Sequence, residues 1–122
     1  MIKDVLTYSI IGCAMNVHKK MGPGFQELIY QRCLAIEFNK AKIEYVREKD
    51  HIIYYEGFEV GTRRADFVVR DYIMVEIKAL VRLEDVHLVQ GKNYLTAYNF
   101  NLGLLVNFGA RSLEHKLLFK NV

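Results

Sequence analysis

Three charged residues lie inside two neighbouring apolar segments of this 122-residue chain. Asp66 opens the segment that runs to Val69, while Glu76 and Lys78 end the segment that begins at Ile73. Apolar strands seldom carry charges unless these pair with one another or bind a ligand. Two carboxylates with a lysine are groups that can hold a hard divalent cation and a phosphate. The residue types therefore point to phosphate chemistry at a metal.

The spacing of the two acids depends on the turn that joins the two segments. Side chains alternate between the faces of a strand, so Glu76 and Lys78 point to the same side. A three-residue loop at residues 70–72 places Asp66 opposite Glu76, whereas a two-residue turn separates the acids. We predict the three-residue loop. Like charges about 4 Å apart repel by about 4 kcal/mol at an effective dielectric of about 20. A bound cation removes that repulsion, which favours a metal site over a solvated pair neutralised by Lys78.

Length and composition favour one globular domain over residues 1–122. With 122 residues and 52% hydrophobic content, the chain can bury a substantial core. It has neither an apolar run of membrane-spanning length nor a signal-peptide layout, so we expect a cytoplasmic protein without membrane association. The formal charge of +3 is compatible with nucleic acid but does not argue for it alone. Cys13 and Cys33 lie in apolar helical patterns without a CxxC motif, which predicts buried reduced thiols.

The N-terminal half changes its apolar period once. Helical spacing predicts two N-terminal helices, separated at residues 22–24 by a Gly-Pro-Gly break. The second helix is expected to run to about Lys40. After this helix the apolar period changes to two, which predicts short strands, and Glu56 and Gly57 are the expected hairpin turn between two of them. The short strands expected around this turn lie at residues 43–47, 51–55 and 58–61, ahead of the two strands that carry the acids.

The sequence pattern of the C-terminal half predicts a helix followed by two strands. Asp85 follows Glu84 at the start of a helix expected to reach about Tyr98. A buried strand is predicted at residues 102–107 and a last strand at 112–119. Because a helix separates two strands that share a sheet, a parallel crossover is expected. The fold class is therefore α/β in the broad sense (α+β), with a central mixed sheet flanked by helices.

Further polar residues could surround the acids. Glu27 lies on the second helix, and His87, Gln90 and Tyr94 share one face of the later helix. Taken alone, Glu27 and His87 are typical of solvated or capping residues, and Tyr94 of a core aromatic with an exposed hydroxyl. Basic residues that could contact phosphates are spread around these elements, namely Arg63, Arg64, Arg82 and Lys92.

Five segments of the chain, in this order, carry a resemblance to a known family. They are residues 17–30 (VHKKMGPGFQELIY), 64–67 (RADF), 75–79 (VEIKA), 90–95 (QGKNYL) and 102–109 (LGLLVNFG). The set resembles the GxxExxY proteins of the PD-(D/E)XK nuclease superfamily, with Gly24, Glu27 and Tyr30 as the naming motif. The resemblance implies a restriction-endonuclease-like core. It departs from the superfamily pattern at Ala65, where a proline often precedes the first strand acid.

The resemblance also implies a role for each acid and its neighbours. Asp66, Glu76 and Glu27 would bind the metal, which is expected to be Mg²⁺ or Mn²⁺. Lys78 would orient or activate the attacking water and stabilise charge on the phosphate, and Gln90 would lie beside the site. The expected activity is metal-dependent hydrolysis of phosphodiester bonds in DNA, or in RNA. The expected nucleic-acid contacts are Arg64, Arg82, Lys92, Tyr94 and His87.

Two other interpretations stay open at this point. One is a nuclease-fold module that binds nucleic acid or a protein partner without cutting, since the short chain leaves little length for a separate reading domain. The other is an unrelated α/β domain whose charges pair locally. A homodimer would suit cleavage of both strands of a duplex. Apolar residues of the last third could form its interface, although core packing is favoured for them: Phe100, Phe108, Leu117, Leu118 and Phe119.

Overall fold

The computed structural model describes residues 2–121 and contains one mixed sheet with three helices. The elements are α1 (Ile2–Met21), α2 (Glu27–Lys40), β1 (Tyr45–Tyr55), β2 (Phe58–Val69), β3 (Ile73–Lys78), α3 (Asp85–Tyr98), β4 (Leu102–Asn107) and β5 (Glu114–Phe119). The strand order is β1-β2-β3-β4-β5, with β3 and β4 parallel and the other neighbours antiparallel. The predicted α+β fold with a mixed sheet, two N-terminal helices and an α3 crossover is confirmed.

Apolar clusters lie on both faces of the sheet and hold the helices in place. Helices α1 and α2 cover one cluster, in which the fully buried Phe38 and Phe67 meet with ring centroids 5.1 Å apart. Helix α3 covers the other cluster, which contains Leu95 and Leu105. Each such side chain stabilises the fold by about 1.5–3 kcal/mol when fully buried. Within residues 2–121, none of the helices combines the length and the apolar character that crossing a membrane requires.

A buried tyrosine fixes the break between the two N-terminal helices. Gly22 and Gly24 have φ values of 69° and 112°, a region that residues with a Cβ rarely adopt. The Tyr30 hydroxyl donates to the Gly22 carbonyl at 2.5 Å and accepts from the Phe25 N–H at 3.1 Å. Its ring stacks on Phe108 at 4.8 Å. Tyr30 therefore determines where α2 begins, and with it the position of Glu27.

The hairpin of β1 and β2 is longer than predicted. The strands expected at residues 43–47 and 51–55 form one strand, and the strand at 58–61 continues into the strand that carries Asp66. The turn at Glu56 and Gly57 is confirmed, with φ values of 50° and 82°. The outer part of this hairpin, residues 50–64, is called the arm below. Most arm residues are exposed on either face, so no continuous alternation of buried and exposed residues marks the strands over their full length.

A buried asparagine ties the segment after β3 to the end of β4. Asn107 is fully buried. Its Oδ1 accepts from the Leu80 N–H at 2.8 Å and the Gly109 N–H at 3.1 Å. Its Nδ2 donates to the Leu80 carbonyl at 3.0 Å and to Glu114 Oε1 at 2.8 Å. These four bonds fix the chain directly after Lys78.

The remaining sequence predictions differ from the structure in small ways. The last strand begins at Glu114 rather than at residue 112. Cys13 and Cys33 are both free thiols, as expected, but Cys33 is only half-buried. Burial raises the pKa of the Cys13 thiol, with Glu37 adding to the shift. Of the candidate interface residues, Phe108 and Leu118 are core, Phe100 is half-buried, and Leu117 and Phe119 are exposed.

Candidate functional site

The turn between β2 and β3 sets the spacing of the two acids. Arg70 and Asp71 have positive φ values of 51° and 53°, and the Tyr72 N–H donates to the Val69 carbonyl at 3.0 Å. The strands then pair Val69, Val68 and Phe67 with Ile73, Met74 and Val75, respectively. The predicted three-residue loop is therefore confirmed, and its register brings Asp66 next to Glu76.

The two carboxylates accept backbone hydrogen bonds at the end of the β2–β3 pair. The Asp66 N–H donates to Glu76 Oε2 at 3.0 Å, and the Ile77 N–H donates to Asp66 Oδ2 at 2.7 Å. Regular pairing of β2 with β3 stops at Phe67, and pairing of β2 with β1 skips Asp66. Each acid thus accepts a hydrogen bond from a backbone N–H that lies beyond the regular ladder. The backbone therefore orients both carboxylates.

The alternation of side chains between the two faces of the sheet is interrupted in β2 next to Asp66. Ala65 and Val68 are three residues apart, yet both pack beneath α3, whereas Phe67 packs on the opposite face. A regular strand with alternating faces would separate Ala65 from Val68. The break coincides with Glu48 of β1, which has a φ of 57° and no partner in the register. As a result, Arg63 rather than Arg64 reaches Glu76.

Helix α2 contributes two residues next to Asp66. Gln31 Nε2 donates to Asp66 Oδ1 at 3.1 Å, and Gln31 is buried, with its Oε1 left without a hydrogen-bond partner among residues 2–121. Glu27 lies one helical turn earlier. Partial burial raises the pKa of the Glu27 carboxyl, while the Lys78 charge opposes this shift and the Asp66 charge adds to it. Glu27 therefore lies within electrostatic reach of both predicted site residues.

Glu76 is the most buried acid of the group. Its side chain is 6% exposed, and its Oε1 accepts a hydrogen bond from Arg63 Nη1 in an ion pair. Burial, followed by the Asp66 charge, raises the pKa of Glu76 to about 7, although Arg63 opposes the shift. Burial alone would lower the pKa of the Arg63 guanidinium, but the Glu76 charge raises it above its usual value. Arg63 is thus the countercharge of Glu76.

Helix α3 faces these groups across a small recess. His87, Gln90 and Tyr94 line it together with Arg63, Glu76 and Lys78, so the predicted shared face of α3 points towards Glu76 and Lys78. Lys78 Nζ donates to Gln90 Oε1 at 3.4 Å, and the Arg63 guanidinium lies 3.7 Å from the centroid of the Tyr94 ring. His87 Nδ1 accepts from the Glu84 N–H at 2.9 Å, so His87 also caps α3.

The other predicted nucleic-acid contacts lie further out. Arg64 is exposed and pairs with Asp50 at 2.9 Å and with Glu48 at 3.6 Å, so the structure does not bring it to the acids. Arg82 is exposed in the loop before α3, and Lys92 is exposed on α3 itself. A role in binding nucleic acid stays a prediction for these three residues.

Sequence reasoning missed two residues of this cluster. Gln31 could have been found, because it lies four residues after Glu27 and so shares a helix face with it. Arg63 appeared only as one of several scattered basic residues. Its position depends on the change of face in β2, which no spacing in the sequence indicates.

Two carboxylates form the donor set that a hard divalent cation would find here. Within residues 2–121, no group of three or more His, Cys, Asp or Glu side chains is arranged to hold a metal. Asp66 and Glu76 are nevertheless adjacent, and each of their four oxygens accepts one hydrogen bond from the protein. A carboxylate oxygen can accept two, so a lone pair remains on each. Mg²⁺ is commonly bound by one or two carboxylates plus substrate phosphates, which this pair can supply.

The sheet is mixed and carries helices on both faces. Where β2 and β3 part, it holds an acid followed by an acid-x-lysine set. Together these features define a restriction-endonuclease-like domain. The model of the PD-(D/E)XK nuclease superfamily matches residues 4–118, and the chain belongs to this superfamily. The members that give this superfamily its name are nucleases, which generally depend on a divalent metal.

One solved structure supports the fold assignment. The crystal structure of SSO0001 is similar to this chain, with a TM-score of 0.59 and 20% sequence identity. The match covers 77% of this chain and 50% of that one, so this chain spans about half the length of SSO0001. At this identity the likeness shows the fold alone. No curated protein shows significant similarity to the chain.

Proposed function

We propose that this chain is a Mg²⁺- or Mn²⁺-dependent nuclease of the GxxExxY group that hydrolyses phosphodiester bonds of DNA, or of RNA. One observation carries the proposal: Asp66 and Glu76 lie side by side where two strands part, oriented by backbone N–H groups, with Lys78 two residues beyond Glu76. The three motif residues support it, since Gly24 and Tyr30 build the turn that positions Glu27.

Asp66 and Glu76 would hold the cation, with Glu27 approaching from α2. A bound divalent metal lowers the pKa of a water and offsets charge on the scissile phosphate. Lys78 would donate to a phosphate oxygen as a point charge and keep the attacking water in place. Gln90, which accepts from Lys78 Nζ at 3.4 Å, would hold the ammonium group at the edge of the recess.

Nucleic acid would approach on the side of the site formed by α3. Tyr94 and His87 line it, and the exposed Arg82 and Lys92 lie on the same helix or the loop before it. Such contacts bind phosphates without reading sequence. Cleavage of both strands of a duplex would be simplest with a second copy of the chain related by a twofold axis.

The alternative is a nuclease-fold module that binds nucleic acid or a protein partner without cutting. One observation favours it: Arg63 already neutralises Glu76, and backbone and Gln31 donors satisfy Asp66. The acids are therefore stable members of the fold without a metal.

The first experiment is a cleavage assay with labelled single-stranded, duplex and branched DNA and RNA, over a titration of Mg²⁺ and Mn²⁺. It compares the wild type with Asp66→Asn and Lys78→Met. Asp71→Asn is the matched control, because Asp71 is an exposed acid in the turn at the other end of the same two strands. Thermal unfolding of every variant shows whether the fold is retained.

We expect cleavage by the wild type and by Asp71→Asn, and none by Asp66→Asn or Lys78→Met. Equal cleavage by Asp66→Asn would mean that a contaminant cuts the substrate. Absence of cleavage with every substrate, together with binding that persists in EDTA, would establish the binding module instead.

A further inference from the structure

Arg63 is held at the recess by two independent contacts. Its Nη1 donates to Glu76 Oε1, and its guanidinium carbon lies over the Tyr94 ring, 3.7 Å from the centroid. Its side chain is 26% exposed, so the group is half-buried. A guanidinium over an aromatic face is attracted to it and keeps a defined orientation.

The oxygen that Arg63 occupies is the one a ligand would need. Glu76 Oε2 points into the sheet, where it accepts from the Asp66 N–H at 3.0 Å. Oε1 is therefore the oxygen of Glu76 that faces the recess, and Arg63 is bound to it. A buried carboxylate needs a countercharge, and Arg63 supplies it.

A divalent cation and a guanidinium on the same carboxylate oxygen would repel each other strongly in a half-buried recess. Only one of them can fully neutralise Glu76. The guanidinium, once displaced, still has the Tyr94 ring to lie on, and it has the forked donors that suit a phosphate.

We propose that Arg63 is a placeholder for the metal: it neutralises Glu76 until a divalent cation binds, and then turns away from Glu76, still held on the Tyr94 ring, to contact a phosphate of the nucleic acid. This inference rests on the proposed function, because it assumes that Asp66 and Glu76 bind a metal. It makes Arg63 a positioning residue for the metal site and a binding residue for the substrate.

The test is calorimetric titration of Mn²⁺ and Mg²⁺ into the wild type, Arg63→Gln and Arg70→Gln. Arg70 is an exposed arginine in the β2–β3 turn, so its substitution removes the same charge away from the recess. If Glu76 is unpaired from Arg63 in about one tenth of the metal-free molecules, removing Arg63 increases the apparent metal affinity about tenfold. Arg70→Gln should leave the metal affinity unchanged.

A second measurement uses the wild-type protein and does not depend on how a variant folds. The Nε–Hε resonance of Arg63, observed by ¹⁵N NMR, should shift when Mg²⁺ is added to the wild type and stay in place for Asp66→Asn. Binding of labelled duplex DNA in Ca²⁺ then tests the phosphate contact, since Arg63→Gln should reduce the slope of log K against log salt by about 1.

The outcomes separate the two proposals. If the wild type binds metal and Arg63→Gln binds it equally or more weakly, the placeholder role is wrong and the metal site stands. If metal binds without moving the Arg63 resonance, or if the salt slope is unchanged, the handover to phosphate is wrong. If neither the wild type nor Arg63→Gln binds metal, the proposed nuclease fails, and the placeholder role fails with it.

Discussion

Replacing Asn107 with leucine should cost much of the stability of the fold. The leucine has a similar size, but it leaves the Leu80 N–H, the Leu80 carbonyl and the Gly109 N–H without their buried partner. Each unpaired buried group costs about 1–3 kcal/mol, so we expect the loss of three partners to cost about 3–9 kcal/mol. Domains of this size are stable by about 5–15 kcal/mol, so the variant should unfold at much lower urea.

The assay is equilibrium unfolding in urea, followed by circular dichroism, with the free energy extrapolated to water. Asn101→Leu is the control, because Asn101 is an exposed asparagine just before β4 and its replacement should change stability by less than about 0.5 kcal/mol. A loss below about 1 kcal/mol for Asn107→Leu would refute the reasoning, since three unpaired buried groups cannot cost so little.

Two further predictions concern the same protein. Gly109→Ala should prevent normal folding, because a Cβ there would lie 2.4 Å from the backbone of Ala79 and Leu80, whereas Gly61→Ala, with open space around it, should be neutral in thermal unfolding. Near-equal melting temperatures for these two variants would contradict this. Burial lowers the pKa of His51 below 6.5, so the unfolded chain takes up a proton first, and stability present above pH 6.5 is lost as the pH falls towards the lowered value. His51→Phe keeps the stacking on Tyr98 and should flatten that part of the pH profile of the unfolding free energy; an unchanged slope would show that another group is responsible.

Much of the fold was predictable because its segments have clear periods and clear breaks. The Gly-Pro-Gly break, the helix from Asp85 to Tyr98 and the buried strand at 102–107 all follow from spacing and turn residues. The three-residue loop before Ile73 was predictable for a different reason, since only that register brings Asp66 to Glu76.

The full length of the arm strands and the role of Arg63 were not predictable from these rules. An arm that is exposed on both faces has no buried side to impose a period of two, so its residues look like turns between short strands. Regular alternation puts Arg64, Asp66 and Val68 on one face of β2. The irregularity opposite Glu48 changes the face within β2, which brings Arg63 to Glu76 and leaves Arg64 paired with Asp50.

The hydrogen bonds to the carboxylates of Asp66 and Glu76 couple the site to local opening of the sheet. They accept from the backbone N–H groups of Ile77 and Asp66, which in a regular ladder would bond to a neighbouring strand. These two amide protons can therefore exchange with solvent deuterium only when a carboxylate turns away. Opening of the sheet at this point and disassembly of the site are one event. Slow exchange at Asp66 and Ile77 is thus a signature of an assembled site that needs neither substrate nor turnover.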